Sequence, residues 1–381
     1  MAPKYEFVRY HPDLKRQVVE LQTHLWSPSE ALNTSYFEWK YERNPYLDTP
    51  LIYLAIRNGS VVGMRGFFGV QWEAGIPAER FTSLYADDMA ILPEHRNQGL
   101  MPKIMSAAFD DLAQLRYEYI FNLSAGPITF LSSLSMGWRS AGTMQPMFWR
   151  PWRSAFRSGL RDLMKPFPSV YRTIHNFRSK WFPNSRWSMT DIDLERARQT
   201  LKADPWISFH DVPRCAAMAE LVERIGHSGR IRHVRDSEYF HWRFQNPLSR
   251  YRFLFCEKDR LEGYLVLQQY TSEFANRGTV NIVDWEASGV AAKAELLHTA
   301  VALTRTGQLM VWSATRSRET TELLRKNGFK HLKQMDDLRS WPAVLVRPVR
   351  KERLEGEWLL AGLRVADLAS WDLRMLYSMR G

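Results

Sequence analysis

Cysteine is almost absent: Cys215 and Cys256 are the two in 381 residues. They lie far apart and make no metal or redox spacing, which excludes a disulfide framework and makes a reducing interior the natural compartment. The ten histidines contain no His-Glu-x-x-His or similar pair, so no metal cofactor is indicated. No apolar run approaches the ~20 residues that cross a bilayer. The amino terminus, Met1-Ala2-Pro3-Lys4-Tyr5-Glu6, lacks the apolar core of a signal peptide. The chain therefore reads as cytoplasmic, and its length allows two domains with ample buried core.

Positive charge, by contrast, is abundant and uneven. The formal net charge is +11, and between Phe148 and Trp187 the basic residues run Arg150, Arg153, Arg157, Arg161, Lys165, Arg172, Arg178, Lys180 and Arg186 against a single acid, Asp162. Aromatics, Trp152 and Phe156 among them, interleave with these. Pro151 to Lys165 can form a helix with proline in its first turn, an apolar stripe of Trp152, Phe156 and Leu160, and arginines alongside at four-residue spacing. One reading is a helix lying in an anionic membrane interface, which would put the protein peripherally on the inner membrane face. Another is an interdomain helix whose stripe packs on the rest of the chain. Nucleic acid is the weakest partner, because Pro166, Pro168 and Pro183 break the stretch and no groove-reading motif accompanies it.

Two halves share one plan. Tyr36-Phe37-Glu38-Trp39-Lys40-Tyr41-Glu42-Arg43-Asn44-Pro45 returns as Tyr239-Phe240-His241-Trp242-Arg243-Phe244-Gln245-Asn246-Pro247 with one residue dropped. Each copy follows a helical stretch (Asp13 to Leu25, Val212 to Ile225) and precedes two strands around a tight turn, Asn58-Gly59 or Lys258-Asp259. Strand, helix, strand and helix then follow, ending in Gly137-Trp138 and Gly328-Phe329. The aromatic block reads first as a helix packing into a core, and so as a mark of duplication rather than of a site. The segments predicted are 1–150, a connector at 151–200, a second copy at 201–340 and an extension at 341–381, whose Trp358 and Trp371 suggest no function.

The most informative stretch is Asp87-Asp88-Met89-Ala90-Ile91-Leu92-Pro93-Glu94-His95-Arg96-Asn97-Gln98-Gly99-Leu100-Met101. Tyr85 to Leu92 reads as an apolar strand carrying two acids, Pro93-Glu94-His95 ends it, and an amphipathic helix runs from Leu100 to Leu112. Unsatisfied N–H groups at such a helix start can hold a diphosphate, and Gly99 lets backbone come close. Arg96-x-x-Gly99, with Asn122 and Gly137-Trp138 downstream, resembles motif A of the GNAT acyltransferase superfamily. The resemblance spans roughly 5–150 and 205–335. It implies an α/β (α+β) fold of two tandem GNAT-like domains, each a mixed, mostly antiparallel twisted sheet flanked by helices. Within the superfamily the chain is similar to tandem proteins of bacterial surface-polysaccharide synthesis and to acetyltransferases of the enhanced-intracellular-survival type. The second half has Ala287-Ser288-Gly289-Val290 in place of the phosphate loop, so it is expected to be degenerate.

The resemblance further implies acyl transfer, other than of aminoacyl groups, from acetyl-CoA or another acyl-CoA to a primary amine. The acceptor would be an amino sugar, a lipid-linked amine or another small molecule. Arg96, Asn97, Gln98, Gly99, Leu100 and Met101 would hold the donor's diphosphate. A backbone N–H near Met89 or Ile91 would polarise the thioester, and Asn122 and Ser124 would contact the pantetheine arm. Asp87 and Asp88 are the candidate bases; strand alternation would put them on opposite faces, with only one in the cleft. Ser133 stands where many relatives carry a tyrosine that protonates the leaving thiolate. Two other readings stay open: a non-catalytic, membrane- or nucleic-acid-associated module of this fold, and a Fem-type transferase using aminoacyl-tRNA. Nothing in the sequence sets the oligomeric state.

Overall fold

The computed structural model describes residues 5–151, 206–271, 279–304, 307–331 and 343–378. Most of the basic aromatic connector, from Trp152 to Trp187, lies outside them.

The first half begins with β1 (Glu6–Arg9), α1 (Lys15–Gln22) and α2 (Glu30–Phe37), whose last turn widens into one π turn over Glu38–Glu42. A meander follows: β2 (Leu51–Arg57), β3 (Ser60–Ala74) and β4 (Glu79–Ile91). Asn58 and Gly59 both take positive φ, the conformation the tight turn between β2 and β3 needs. Then come α3 (Leu100–Leu112), β5 (Tyr119–Asn122), α4 (Pro127–Ser135), β6 (Arg139–Thr143) and β7 (Pro146–Trp149). The predicted helix from Leu100 to Leu112 forms with those bounds, burying Leu100, Ile104, Met105, Ala108, Phe109 and Leu112 on one face.

The second half repeats this order with β8 (Ile207–His210), α5 (Cys215–Ile225), a short β9 (Arg232–His233) and α6 (Ser237–Arg243). β10 (Ser249–Glu257), β11 (Leu261–Tyr270), β12 (Thr279–Ala287), α7 (Val290–Leu303), β13 (Gln308–Trp312) and α8 (Arg318–Lys326) complete it. β14 (Ala343–Pro348) and a mostly irregular tail close the described chain. Both sheets are antiparallel except at β4/β5 and β12/β13, the pairs that α3 and α7 connect. Each half is thus a mixed, mostly antiparallel sheet flanked by helices.

The sheets do not respect the division of the repeat. The first runs β1-β2-β3-β4-β5-β14-β6, and the second β7-β13-β12-β11-β10-β8. β14, from beyond the second copy, lies between β5 and β6 (Leu345↔Asn122, Val346↔Arg139). Reciprocally, β7 lies between β13 and the stretch after Gly328-Phe329, where Phe148 and Lys330 exchange backbone hydrogen bonds of 2.8 and 2.9 Å. Each half lends the other a strand at the same place.

One large core fills the space between the sheets and draws on both halves, from Trp72 and Tyr85 to Tyr239, Tyr264 and Trp371. Separate outer cores lie under α3 and under α7 and α8. The aromatic blocks meet inside the shared core, where Trp39 and Trp242 stack.

Candidate active site

β4 pairs with β5 only at Leu84↔Ile120 and Tyr85↔Phe121. Its remaining residues run on to Ile91 beside a widening gap, and that gap is where the candidate residues collect. Against β3 the register shifts from Gly66↔Asp87 to Met64↔Ala90, so Asp88 and Met89 face the single residue Arg65 in a β-bulge. Asp88 takes φ +48°, a left-handed conformation that aspartate tolerates better than most residues.

The bulge corrects the expectation from alternation. Asp87 and Asp88 do not face opposite ways: Lys40 Nζ donates to Asp87 Oδ2 and to Asp88 Oδ1, each at 2.7 Å. Lys40 comes from the π turn after α2 and is fully buried. The rings of Trp26, Tyr36, Tyr41 and Phe68 surround its ammonium at 5.1–5.5 Å, so cation–π attraction supplements the two ion pairs. The sequence carried this signal as a basic residue inside an aromatic block, without linking it to the aspartates.

The two carboxylates differ in their surroundings. Asp88 also accepts from Gln22 Nε2 (2.9 Å), Trp26 Nε1 (3.0 Å) and Tyr41 OH (2.7 Å). With Lys40 this makes four donors, about the number a carboxylate can take. Burial first, and then the charges of Asp88 and Asp87, hold the Tyr41 phenol well above its ordinary range, so it stays a donor. Gly66 permits the contact, because a Cβ there would stand 1.9 Å from the Tyr41 oxygen. Asp87 accepts from Lys40 on one oxygen and from Ser124 Oγ (3.1 Å) on the other, which turns it toward the gap past the end of β5. Asn122 fixes that corner by accepting from the Ser124 backbone N–H at 2.8 Å.

At the far end of β4, Leu92 donates to Val62 of β3. By alternation the N–H group of Ile91 belongs to the opposite edge, beside the gap. Beyond Ile91 the chain makes a 3-10 turn, Pro93–His95, and then the loop Arg96-Asn97-Gln98-Gly99. Asn97 and Gly99 have φ of +59° and +65°, and a Cβ at Gly99 would meet nothing within 4 Å. The loop is held from behind: Arg96 Nε donates to Ile91 O (3.1 Å), Tyr5 OH donates to Gln98 Oε1 (2.5 Å), and His95 Nδ1 lies 3.0 Å from the Tyr5 oxygen. Sequence reasoning did not single out Tyr5 or His95. In the first turn of α3, Leu100, Met101 and Lys103 keep N–H groups while Pro102 has none, which leaves an open, positively polarised cradle. That suits the diphosphate of a nucleotide cofactor.

Thus Asp87, Asp88, Asn122 and Ser124 come together at one end of the gap, and Arg96 to Met101 form the cradle at the other. Ser133 is buried on α4, and among the described residues no hydrogen bond links its hydroxyl to either aspartate.

Strand, left-handed turn and helix start beside a parting parallel pair define the first half as an acyl-transferring fold of the nucleotide-thioester class. Residues 16–126 match the acetyltransferase (GNAT) family, and the amino-terminal half carries a GNAT acetyltransferase domain, a class that draws its acyl group from acetyl-CoA or another acyl-CoA. No curated protein matches the chain by sequence. Among solved structures the chain is similar to a GCN5-related N-acetyltransferase from Anabaena variabilis: 14% identity over 91% of this chain and 73% of that one, TM-score 0.55. It is also similar to a probable N-acyltransferase from Enterococcus faecalis, at 12% identity over 91% and 73%, TM-score 0.53. A third, a GCN5-related N-acetyltransferase from Kribbella flavida, has 10% identity over 91% and 72%, TM-score 0.53. At these identities the likeness is one of fold.

Proposed function

We propose that the protein is an acyl-CoA-dependent N-acyltransferase, most simply an N-acetyltransferase, that transfers its acyl group directly to a primary amine. The observation that carries this reading is the pairing, on one strand, of Asp87, held toward the gap by Ser124 beside the bulge, with a left-handed Gly99 turn at a helix start.

The diphosphate of the donor rests on the N–H groups of residues 97–101 and 103, with Arg96 and Lys103 adding charge. The pantetheine arm runs into the gap past Asn122 and Ser124. There the N–H of Met89 or Ile91 donates to the thioester oxygen and stabilises the oxyanion that forms on attack. The amine nitrogen forms the new C–N bond, Asp87 takes its proton, and the C–S bond breaks to release the CoA thiolate. Asp88 positions Lys40, and Lys40 positions Asp87. Ser133 is far too weak an acid to protonate a thiolate outright, so the proton released from the amine, passed through water, neutralises the sulfur.

The acceptor is an amino sugar, free or lipid-linked, or another small amine, and the second half shapes its side of the cleft without holding CoA. Among the described residues no helix is long and apolar enough to cross a membrane. The basic connector is the segment whose charge suits a lipid-linked acceptor.

Calorimetric titration with acetyl-CoA and longer acyl-CoAs tests the donor site, using the wild type and an Arg96→Ala, Gly99→Glu double variant. Binding that disappears in the variant is the expected result. Absence of binding to any thioester would overturn the reading. An acceptor screen with amino sugars and amino lipids follows.

A further inference from the structure

The second half has its own gap, between β12 and β13. These strands pair from Thr279↔Gln308 to Asn281↔Met310 and then part. Asp284 follows Val283, the extra residue in a bulge of β12. Behind it, Arg235 donates to Asp284 (3.0 Å) and Glu286 (2.7 Å), and Arg374 from the carboxy-terminal tail bonds to Glu286 (2.6 Å) and Asp372. Those two arginines engage all three carboxylates.

Two more cations remain in the same cluster. Arg316, in the loop after β13, reaches Trp285 O with Nη1 at 3.5 Å, while its Nε and Nη2 are buried and have no acceptor among the described residues. Lys293, on the first turn of α7, lies 5.4 Å over the Trp285 ring and has no carboxylate within ion-pair distance among the described residues. Burial, and then the charge of Arg374, pushes Arg316 down to about 10. Burial pushes Lys293 down to about 8 against the pull of Glu286. Both residues keep part of their surface in solvent.

We propose that this half binds a small oxoanion, a carboxylate or a phosphate group, on the Nε–Nη2 edge of Arg316, with the Lys293 ammonium as its second contact. The two N–H bonds on that edge are parallel and match two oxygens of one such group, a fit that a lysine in place of Arg316 would not reproduce. An acceptor there supplies what the buried donors lack, since an unpaired buried donor is costly. The ligand is small, because Gly289, which precedes α7, is extended (φ −148°) and makes no left-handed turn to accommodate a nucleotide. The site is independent of the acyl-donor reading.

Thermal unfolding at constant ionic strength, with inorganic phosphate or acetate replacing chloride, tests the proposal in the wild type, Arg316→Lys and Gly99→Glu. We expect a saturable rise in Tm with at least one anion, retained in Gly99→Glu and lost in Arg316→Lys; which anion acts identifies the group. Should Arg316→Lys not fold, Lys293→Met is expected to raise the half-saturating concentration roughly tenfold. The proposal is overturned by no rise beyond chloride, or by an unchanged half-saturation in Lys293→Met. A rise lost in Gly99→Glu but kept in Arg316→Lys overturns it too, since the anion would then sit on the loop of the first half.

Discussion

The indole rings of Trp39 and Trp242 stack at 5.1 Å with 13° between their planes, and each donates its N–H to the other's backbone carbonyl, at 2.6 and 3.0 Å. The two residues occupy the same place in the repeated block, so the contact is a local two-fold inside one chain. Their neighbours have diverged: Lys40 pairs with Asp87 and Asp88, whereas Arg243 donates to Leu376 O and Ser378 O in the tail. One copy of the position serves the site and the other ties down the carboxy terminus.

Trp39→Phe and Trp242→Phe each leave a buried carbonyl without that donor while keeping a ring to stack. Each is expected to lower stability by about 1–3 kcal/mol. Because the two share one contact, the double variant should depart from additivity by about 0.5 kcal/mol or more. Urea melts of the four proteins measure this, and strict additivity would show that the paired bonds do not act together.

Asp87 and Asp88 should separate by readout. Asp87→Asn is expected to lower kcat roughly 10²-fold or more with acyl-CoA affinity unchanged, Lys40 still being paired with Asp88. Asp88→Asn is expected to cost about 3–5 kcal/mol of stability, the scale for breaking a buried ion pair. Steady-state rates alongside thermal melts decide the matter; an Asp87→Asn enzyme with full activity rules out Asp87 as the base.

Substitutions at Gly99 distinguish strain from charge. Alanine meets no neighbouring atom but must adopt φ +65°, which costs about 1–2 kcal/mol and should leave donor affinity largely intact. Glutamate adds a negative charge at the helix start, where the diphosphate would rest, and should weaken acyl-CoA binding at least roughly tenfold. Equal calorimetric affinities for the two variants would place the diphosphate elsewhere.

Lys293 makes stability depend on pH in a known direction. Its folded-state value, about 8, lies below the ordinary 10.5, so between those limits the unfolded chain binds more protons and stability rises with pH. Burial sets the shift, Glu286 on β12 opposes it, Arg316 in the loop after β13 and Arg374 in the tail add to it, and Asp372 in the tail opposes it. Lys293→Met should flatten that rise in urea melts between pH 8 and 10.5. A variant whose pH profile parallels the wild type's would mean that Lys293 is not held in that state.

Local chemistry made much of the fold legible. The Asn58-Gly59 turn, the apolar face of α3 and the glycine-aromatic endings depend on residues close in sequence, and each formed where expected. The bulge at Asp88 was not visible, since strand alternation is the default and one extra residue overrides it. Lys40 was missed because its partners lie 47 and 48 residues away, and only the folded sheet brings them together. β14 reads as an apolar strand, Ala-Val-Leu-Val, but no local pattern names its partners. The strand, turn and helix start around Gly99 were legible because they occupy one continuous stretch.

The strand exchange ties the order of synthesis to the order of folding. β5 and β6 leave the ribosome long before Ala343, so the donor half must wait with an unfilled slot in its sheet until β14 has been made. During that interval two strand edges are open to the wrong partner, a hazard of non-local pairing. A gene cut between the two copies would therefore give fragments that fold only when produced together, each arriving with the other's missing strand.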